Sequence, residues 1–247
     1  MSYLVAPVMG TTVSIDVRDD DVRTAALQAA VQTLRELEAR FTTYRDDSEI
    51  KRIGRGELQV AEAHPDVREV LNACAVLRAE TDGAFDAWRN GRLDPSGYVK
   101  GWAAERAADV LRDHGATHFA LNLGGDVICA GGASPNPAWR VGIRHPADPA
   151  RMALVIGLTD GAVATSGSYE RGEHIVDART GRPANAWRSI TVLSPDLATA
   201  DAAATAALAM GEQGPAWAAR LPGCEVAAIG DHDRLWTTAG LERARLS

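Results

Sequence analysis

The order of apolar and polar residues predicts two strands and three helices in the first part of the chain. Residues 11–17, TTVSIDV, alternate in polarity, which is typical of a strand with one buried face, and residues 3–8 predict a partner strand. Apolar residues at helical spacing predict helices over residues 21–41, 65–80 and 97–114. The predicted buried face of the second helix comprises Val67, Val70, Leu71, Cys74 and Leu77.

The second part of the chain is richer in strands. Short apolar segments separated by turn residues predict strands over residues 119–123, 126–130, 139–143, 153–157, 162–166 and 189–193. An alanine-rich helix over 199–210, a short helix near 214–220 and a hairpin turning at 230–233 follow. Early helices, central strands and a late helix favour an α+β fold. We expect one domain over residues 1–247, with a strand-rich core flanked by helices.

Composition and charge narrow the classes of partner. Hydrophobic residues make up 46% and charged residues 24% of the 247 positions, which is ordinary for a soluble globular protein. The net charge of −7 argues against nucleic acid or an anionic membrane as the main partner. Cys74, Cys129 and Cys224 are far apart and form no C-x-x-C pair, so we expect reduced, buried thiols.

The first ten residues, MSYLVAPVMG, do not have the pattern of a secretory signal. They lack a cationic start, and their apolar run ends at Gly10. The chain also contains no run of about 18 apolar residues, the length needed to span a bilayer. The sequence therefore predicts a cytoplasmic protein without a transmembrane segment.

Residues 164–181, ATSGSYERGEHIVDARTG, carry an unusual density of reactive side chains. Ser166-Gly167 and Thr180-Gly181 predict turns, because glycine adopts backbone angles that other residues avoid. The pair Ile175-Val176 predicts a brief strand between His174 and Asp177. By itself the segment fits a turn-rich hairpin as well as a functional loop.

A phosphate site is one interpretation of residues 94–101, DPSGYVKG. No P-loop or Rossmann motif is present, but Asp94 and Ser96 are good helix caps and Gly97 opens the predicted helix. The free N–H groups of a helix start attract phosphate, and Lys100 would lie in the first turn. An ordinary capped helix fits the same residues.

Asp201 and Thr205 form a possible cation site. They are four residues apart on a predicted helix and therefore share one face. A carboxylate and a hydroxyl are oxygen donors of the kind that Mg²⁺ prefers. The alternative is an aspartate that stabilises the helix start and a threonine that only packs.

Two further features allow both a functional and a structural interpretation. Gly124-Gly125-Asp126 ends an apolar strand, where glycines mark either a tight hairpin or the close approach of a ligand. Tyr44 follows a predicted helix and could stack on an aromatic ligand or simply cover the core.

In their order along the chain, these motifs resemble those of the ApbE-type flavin transferases, also called FAD:protein FMN transferases. The resemblance extends from about residue 9 to residue 211. Its elements are MGT (9–11), TTYRDDSEI (42–50), GAFD (83–86), DPSGYVKGWAAERAADVL (94–111), NLGGD (122–126), SGSYERGEHIVDARTG (166–181) and ADAAATA (200–206). Each motif is weak alone, but seven in family order are a strong signal.

The resemblance implies an enzyme that uses Mg²⁺ to split FAD, moves FMN onto a threonine or serine hydroxyl of an acceptor protein, and releases AMP. It implies a metal site formed by Asp201, Thr205 and the backbone carbonyl of Gly97, with His174 as the candidate general base. The residues implied to contact FAD are Met9, Tyr44, Ala84, Phe85, Asp86, Asp94, Lys100 and Ile175.

The chain also departs from the family pattern. Only seven residues separate Asp86 from Asp94, where the family usually has a longer segment, and Pro95 and Ala178 replace a usual leucine and proline. Two other functions therefore stay open: an FAD pyrophosphatase that yields FMN and AMP, and a flavin-binding carrier without catalysis. Asp201, Thr205 and His174 argue against the carrier, because a carrier needs no metal and base.

Overall fold

The computed structural model describes residues 1–89, 91–133, 137–167 and 175–246. The helices are α1 (Thr24–Phe41), α2 (Glu49–Gly54), α3 (Pro65–Glu80), α4 (Ser96–Asp113), α5 (Leu197–Met210), α6 (Gly214–Ala218) and α7 (Ala239–Ala244), with 3₁₀ turns at Val60–Glu62, Gly211–Gln213 and Asp231–Asp233. The strands are β1 (Ser2–Val8), β2 (Thr11–Val17), β3 (Trp88–Arg89), β4 (Arg92–Leu93), β5 (Phe119–Leu123), β6 (Asp126–Ala130), β7 (Trp139–His145), β8 (Asp148–Leu158), β9 (Gly161–Gly167), β10 (Val176–Asp177), β11 (Arg182–Pro183), β12 (Ser189–Ser194), β13 (Glu225–Ile229) and β14 (Leu235–Thr237).

Eight strands form one antiparallel sheet in the order β1-β2-β5-β6-β9-β12-β13-β14. Three pairs in this sheet are hairpins: β1-β2, β5-β6 and β13-β14. Strand β2 also pairs with β5, and β12 pairs with β13 across the segment that contains α5 and α6. Strand β9 joins the two halves by pairing with β6 on one side and β12 on the other. The other strands form three separate hairpins, β3-β4, β7-β8 and β10-β11. This large antiparallel sheet, combined with helices, confirms the α+β expectation.

Helices α1, α4 and α5 pack on one face of the sheet. The alanines of α5 are buried, as expected for a helix that is apolar around its whole circumference. Gly101 allows α4 to approach α5 closely, since a Cβ there would lie 2.5 Å from the carbonyl oxygen of Leu197. This contact brings the first turns of two helices together at one end of the sheet.

The β7-β8 hairpin covers part of the opposite face of the sheet. Trp139, Val141 and Ile143 of β7 pack with Leu154 and Ile156 of β8 in a second apolar cluster that includes residues of the main sheet. All three cysteines are buried and unbonded to one another, as the sequence predicts. No helix among the described residues has the length and apolar character needed to cross a bilayer.

Most of the predicted elements are observed, with small shifts at their ends. The prediction of a turn at Ser166-Gly167 is wrong, because both residues belong to β9, where they lie opposite Ile190 and Ser189 of β12. The long-range pairing with β12 overrides the local preference of glycine for a turn. The brief strand predicted at Ile175-Val176 begins one residue later, at Val176. Helix α2 and the β3-β4 hairpin were not predicted, because such short elements show no periodicity.

Candidate active site

A cleft of about 810 Å³ opens where the start of α4 and one face of α5 meet the end of β9. The turn between β1 and β2, the segment after α1 and the segment after α3 complete its walls. Every described residue that the family resemblance implies for FAD or metal lies on these walls: Met9, Tyr44, Ala84, Phe85, Asp86, Asp94, Gly97, Lys100, Ile175, Asp201 and Thr205. His174 lies outside the described residues, so its role stays a prediction.

Lys100 and Asp201 line the cleft, and a second buried aspartate, Asp126, lies against Lys100. Asp126 is 1% exposed and Asp201 is 3% exposed. The Nζ atom of Lys100 lies 2.5 Å from Oδ2 of Asp126 and 3.5 Å from Oδ1 of Asp201. The remaining carboxylate oxygens accept backbone hydrogen bonds, from Thr165 N at 3.0 Å and Gly101 N at 2.8 Å respectively. We call Lys100, Asp126 and Asp201 the charged cluster.

Asp201 is an unusual carboxyl group because of where it lies. Burial raises its pKa to about 7, Lys100 opposes that rise, and the negative charge of Asp126 adds to it. The hydrogen bond from the Gly101 N–H also favours the carboxylate. A pKa this high for an aspartate means that additional positive charge beside Asp201 would stabilise its ionised form.

The residues implied for the metal supply a suitable set of oxygen donors. Thr205 lies one helical turn after Asp201, and its hydroxyl is 2.9 Å from the hydroxyl of Ser166 at the end of β9. Gly97 lies against Thr205, since a Cβ at Gly97 would be 3.2 Å from Cγ2 of the threonine. A carboxylate, a hydroxyl and a backbone carbonyl suit Mg²⁺. Within the described residues there is no cluster of three or more His, Cys, Asp or Glu side chains fit to hold a metal. The protein would therefore supply only part of the coordination.

Ala84 and Phe85 form an apolar wall of the cleft, and hydrogen bonds to their backbone hold it in place. The buried hydroxyl of Thr81 accepts a bond from Phe85 N at 3.1 Å, and Ala84 O accepts one from Ala178 N at 3.0 Å. Asp86 is anchored at the end of this wall, where its Oδ2 accepts a bond from Nε of Arg78 at 2.7 Å. The wall is therefore preformed, as is typical of pockets for small molecules.

Two residues at the mouth of the cleft have features that a purely structural role does not require. Tyr44 is 96% exposed, so the interpretation that it covers the core is wrong. Met9 has φ of 55° in the tight turn that it forms with Gly10. A bulky residue in the left-handed region carries backbone strain, and such strain is concentrated at functional sites.

The β10-β11 hairpin lies beside the cleft, which its residues Val176 and Ala178 line. Thr180-Gly181 forms the predicted turn between β10 and β11, and Gly181 has φ of 67°. Asp177 accepts two hydrogen bonds from the Arg179 guanidinium, at 2.8 and 2.9 Å. Hydrogen bonding by Arg179 lowers the pKa of Asp177.

The start of α4 differs in detail from the sequence prediction. The helix begins at Ser96, one residue before the predicted start, and its N-cap position is Pro95, which makes no side-chain bond. Asp94 caps the start of the helix instead, because its Oδ1 accepts a hydrogen bond from Ser96 N at 3.0 Å. The short connection before Asp94 is the β3-β4 hairpin, closed by a bond from Asp94 N to Ala87 O at 2.8 Å.

Some polar residues at the cleft are not among those predicted for the site. Arg89, Thr165 and Ser166 line the cleft, and Asp126 does not line it but contacts Lys100 from a buried position. Asp126 was noticed only as the end of a glycine motif, although an aspartate directly after a Gly-Gly turn was an available signal. Ser166 was assigned to a turn. Thr165 and Arg89 have no local pattern that marks them.

Comparison with known proteins gives consistent results. The sequence pattern of the ApbE family matches residues 9–90 and 87–228. An FAD:protein FMN transferase of Vibrio cholerae is 28% identical over 273 aligned residues, which cover 85% of this chain and 82% of the relative. One of Rhodobacter capsulatus is 37% identical over 164 residues, which cover 63% of this chain but 31% of the relative.

Solved structures give the same fold. The flavin transferase ApbE of Vibrio cholerae superposes with a TM-score of 0.84 at 25% identity, covering 98% of each chain. The ApbE protein of Thermotoga maritima superposes with a TM-score of 0.88 at 22% identity, covering 100% of this chain and 99% of that one.

Proposed function

This chain belongs to the ApbE family, and on that premise we propose that it is a Mg²⁺-dependent FAD:protein FMN transferase. The proposed substrates are FAD and an acceptor protein with an accessible threonine or serine. The proposed products are the flavinylated acceptor and AMP. The predicted cytoplasmic location stays a prediction.

The observation that carries this proposal is the convergence on one cleft of residues spread from Met9 to Thr205. The cleft volume of about 810 Å³ falls within the range of about 300–1,000 Å³ that is usual for ligand pockets. The cleft combines an apolar wall and an exposed tyrosine with the charged side chains of Lys100 and Asp201. This combination suits a ligand with a flat aromatic ring system and a charged pyrophosphate.

The proposed transfer exchanges one phosphorus–oxygen bond for another. The acceptor hydroxyl oxygen forms a bond to the phosphorus of the FMN half, and the bond from that phosphorus to the bridging oxygen breaks. AMP leaves with the bridging oxygen and the electron pair of that bond, and the hydroxyl proton passes to a base. The protein must therefore position the phosphorus, balance charge on the leaving AMP and accept a proton.

Positive charge near the pyrophosphate would come from several groups. The ammonium of Lys100 and the N–H groups at the start of α4 both border the cleft. The residues that would hold Mg²⁺ are Asp201, Thr205 and Gly97, and when bound the ion neutralises charge on the phosphate oxygens. The raised pKa of Asp201 supports this assignment, because a buried carboxylate gains stability from a nearby cation.

We propose His174 as the base, since an ordinary imidazole titrates near neutral pH. Asp177 is the neighbouring alternative. Its pKa is lowered by the hydrogen bonds from Arg179, which makes Asp177 a weaker base than an ordinary carboxylate. The lowered pKa of Asp177 therefore favours the histidine as the proposed base.

One incubation separates the three candidate functions. The protein is mixed with FAD and Mg²⁺, with and without candidate acceptor proteins, and the products are followed by chromatography and mass spectrometry. A transferase gives acceptor with covalent FMN and an equal amount of AMP. A pyrophosphatase gives free FMN and AMP whether or not an acceptor is present. A carrier returns unchanged FAD, and that result would overturn the proposed activity.

A further inference from the structure

Lys100 is shared unequally between two buried carboxylates. Its Nζ lies 2.5 Å from Oδ2 of Asp126 but 3.5 Å from Oδ1 of Asp201. The closer contact is an ion pair, in which Oδ2 of Asp126 has no hydrogen-bond donor among the described residues besides this ammonium, and the longer distance is beyond a normal hydrogen bond. Of these two carboxylates, Asp126 is therefore the closer partner of the ammonium, and Oδ1 of Asp201 is the less engaged oxygen of its carboxylate.

Asp126 is placed to hold the lysine rigidly. It is the first residue of β6, directly after the Gly124-Gly125 turn, and it is almost fully buried. Its other oxygen, Oδ1, accepts a hydrogen bond from Thr165 N on β9. One carboxylate thus connects the sheet to the first turn of α4, where Lys100 lies with a quarter of its side chain exposed to the cleft.

We propose that Asp126 is a positioning residue for FAD binding: it draws the Lys100 ammonium away from Asp201 and holds it toward the pyrophosphate. This inference rests on the proposed function. Without Asp126, the nearest charged partner for Lys100 within the charged cluster is Asp201. The lysine would then neutralise the carboxylate that should receive a cation, and it would contact the pyrophosphate less well.

A purely structural role for Asp126 predicts a different outcome. If the only role of Asp126 were to accept the hydrogen bond from Thr165 N, an asparagine could fill the same role, since the amide oxygen of asparagine can accept that bond. Asp126→Asn would then leave Lys100 and FAD binding unchanged. In the positioning role, the negative charge is needed, and Asp126→Asn displaces the lysine.

The composition of the chain makes the position of Lys100 directly measurable. Lysine occurs only at positions 51 and 100 among 26 basic side chains. Protein containing lysine labelled with ¹³C at Cε should therefore give two lysine signals in an NMR spectrum. The Lys51→Arg variant identifies which signal belongs to Lys100. FAD is then added without metal, so the readout does not depend on turnover.

We expect the Lys100 signal of the unsubstituted protein to shift when FAD binds. In Asp126→Asn the signal should differ already in the free protein, and FAD affinity should fall about 10- to 100-fold, the range for losing a charge-assisted contact. The matched control is Asp16→Asn, which removes the charge of an aspartate paired with Arg18 at 2.7 Å on β2. FAD affinity should not change in that control.

A double-mutant cycle tests whether Asp126 acts through Lys100. Lys100→Met should weaken FAD binding about as much as Asp126→Asn, and the double variant should be no weaker than either single one. If Asp126→Asn fails to fold because the Lys100 ammonium has lost its counter-charge, the double variant lacks that ammonium, and its comparison with Lys100→Met still decides the question. A further loss of more than about threefold in the double variant would mean that Asp126 acts independently.

Two results would overturn the inference. One is an Asp126→Asn variant that keeps both the Lys100 signal and the FAD affinity of the unsubstituted protein. The other is a displaced Lys100 signal without any loss of FAD affinity. If the unsubstituted protein does not bind FAD, the proposed function fails instead, and that failure is visible before any variant is made.

Discussion

The backbone N–H of Gly101 donates a 2.8 Å hydrogen bond to Oδ2 of Asp201, joining two residues that are 100 positions apart in the chain. The bond crosses the contact between α4 and α5 and fixes the orientation of a buried carboxylate. It depends on the absence of a side chain at position 101, because a Cβ there would be 2.7 Å from Cβ of Asp201. Helix packing and the geometry of the cleft therefore depend on the same glycine.

Gly101→Ala should destabilise the protein, even though alanine is the better helix former. The added methyl group must push α4 away from α5, and overpacking of this kind costs about 1–3 kcal/mol. Denaturant unfolding would measure the loss. Gly54→Ala is the matched control, because a Cβ at Gly54 would meet Leu93 at an ordinary 3.7 Å. Equal stability of the two variants would contradict the close contact.

Asp201→Ala should abolish Mg²⁺-dependent turnover of FAD while the fold remains. The apolar core does not depend on this side chain, so the chain should still fold, although the Gly101 N–H loses its acceptor. Thr205→Val should lose less activity, since water can replace one neutral ligand. Turnover at limiting Mg²⁺ and the melting temperature would be measured together. Full activity of Asp201→Ala would show that the metal assignment is wrong.

Tyr44→Ala should weaken FAD binding without reducing stability. The side chain is 96% exposed and contributes little to the core, but stacking on an aromatic ring is worth about 0.5–1.5 kcal/mol beyond the area buried. Calorimetry with FAD, FMN and AMP gives the test, and FAD should bind best because it reaches both ends of the cleft. Tyr3→Ala, another exposed tyrosine on β1, is the control. Equal affinity for FMN and FAD would contradict a two-ended cleft.

His174→Ala should lower turnover by roughly 10²–10⁴-fold and leave FAD affinity nearly unchanged, if the histidine is the general base. A base acts only during transfer, so binding should not need it. Turnover should also rise with pH through the pKa of the histidine in the complex with FAD. If affinity, melting temperature and rate fall together, the histidine supports the local structure instead. Near-normal turnover would remove it from the mechanism.

Asp19 should make the free energy of unfolding depend on pH in the acidic range. Burial raises its pKa, but hydrogen bonds from the Thr117 hydroxyl and from the backbone N–H groups of Thr117 and His118 outweigh this effect. They lower the pKa from 3.8 to about 2. Because the folded pKa is the lower one, the stabilisation is present above about pH 4 and is lost as the pH falls toward about 2.

Asp19→Asn should therefore be less stable than the unsubstituted protein at about pH 6, and the difference should shrink in acid. Denaturant midpoints measured at about pH 6 and pH 3 would show it. Asp20→Asn is the control, since the side chain of Asp20 is almost fully exposed. A difference that grows in acid would contradict the assigned role of Asp19.

Much of the fold could be predicted because its signals are local. One example is the alternation of polarity over residues 11–17, and another is the helical spacing over Pro65–Glu80. Both patterns involve only residues that are close in sequence. The motifs that resemble the ApbE family also predicted eleven residues that line one cleft. Their chemical roles remain predictions, because lining a cleft does not by itself assign a role.

The tertiary structure decided what depends on distant parts of the chain. Ser166 is a strand residue because β12 pairs with it, although the Ser-Gly pair alone favours a turn. Asp126 belongs to the charged cluster because the packing of β6 and α4 brings it to Lys100. The sequence around either residue does not indicate that the other lies beside it. The periodicity of apolar residues indicates which face of a helix or strand is buried. It does not indicate which other helix or strand packs against that face. That choice is made by packing, where close contacts such as Gly101 against Asp201 form only when the whole sheet and its helices assemble.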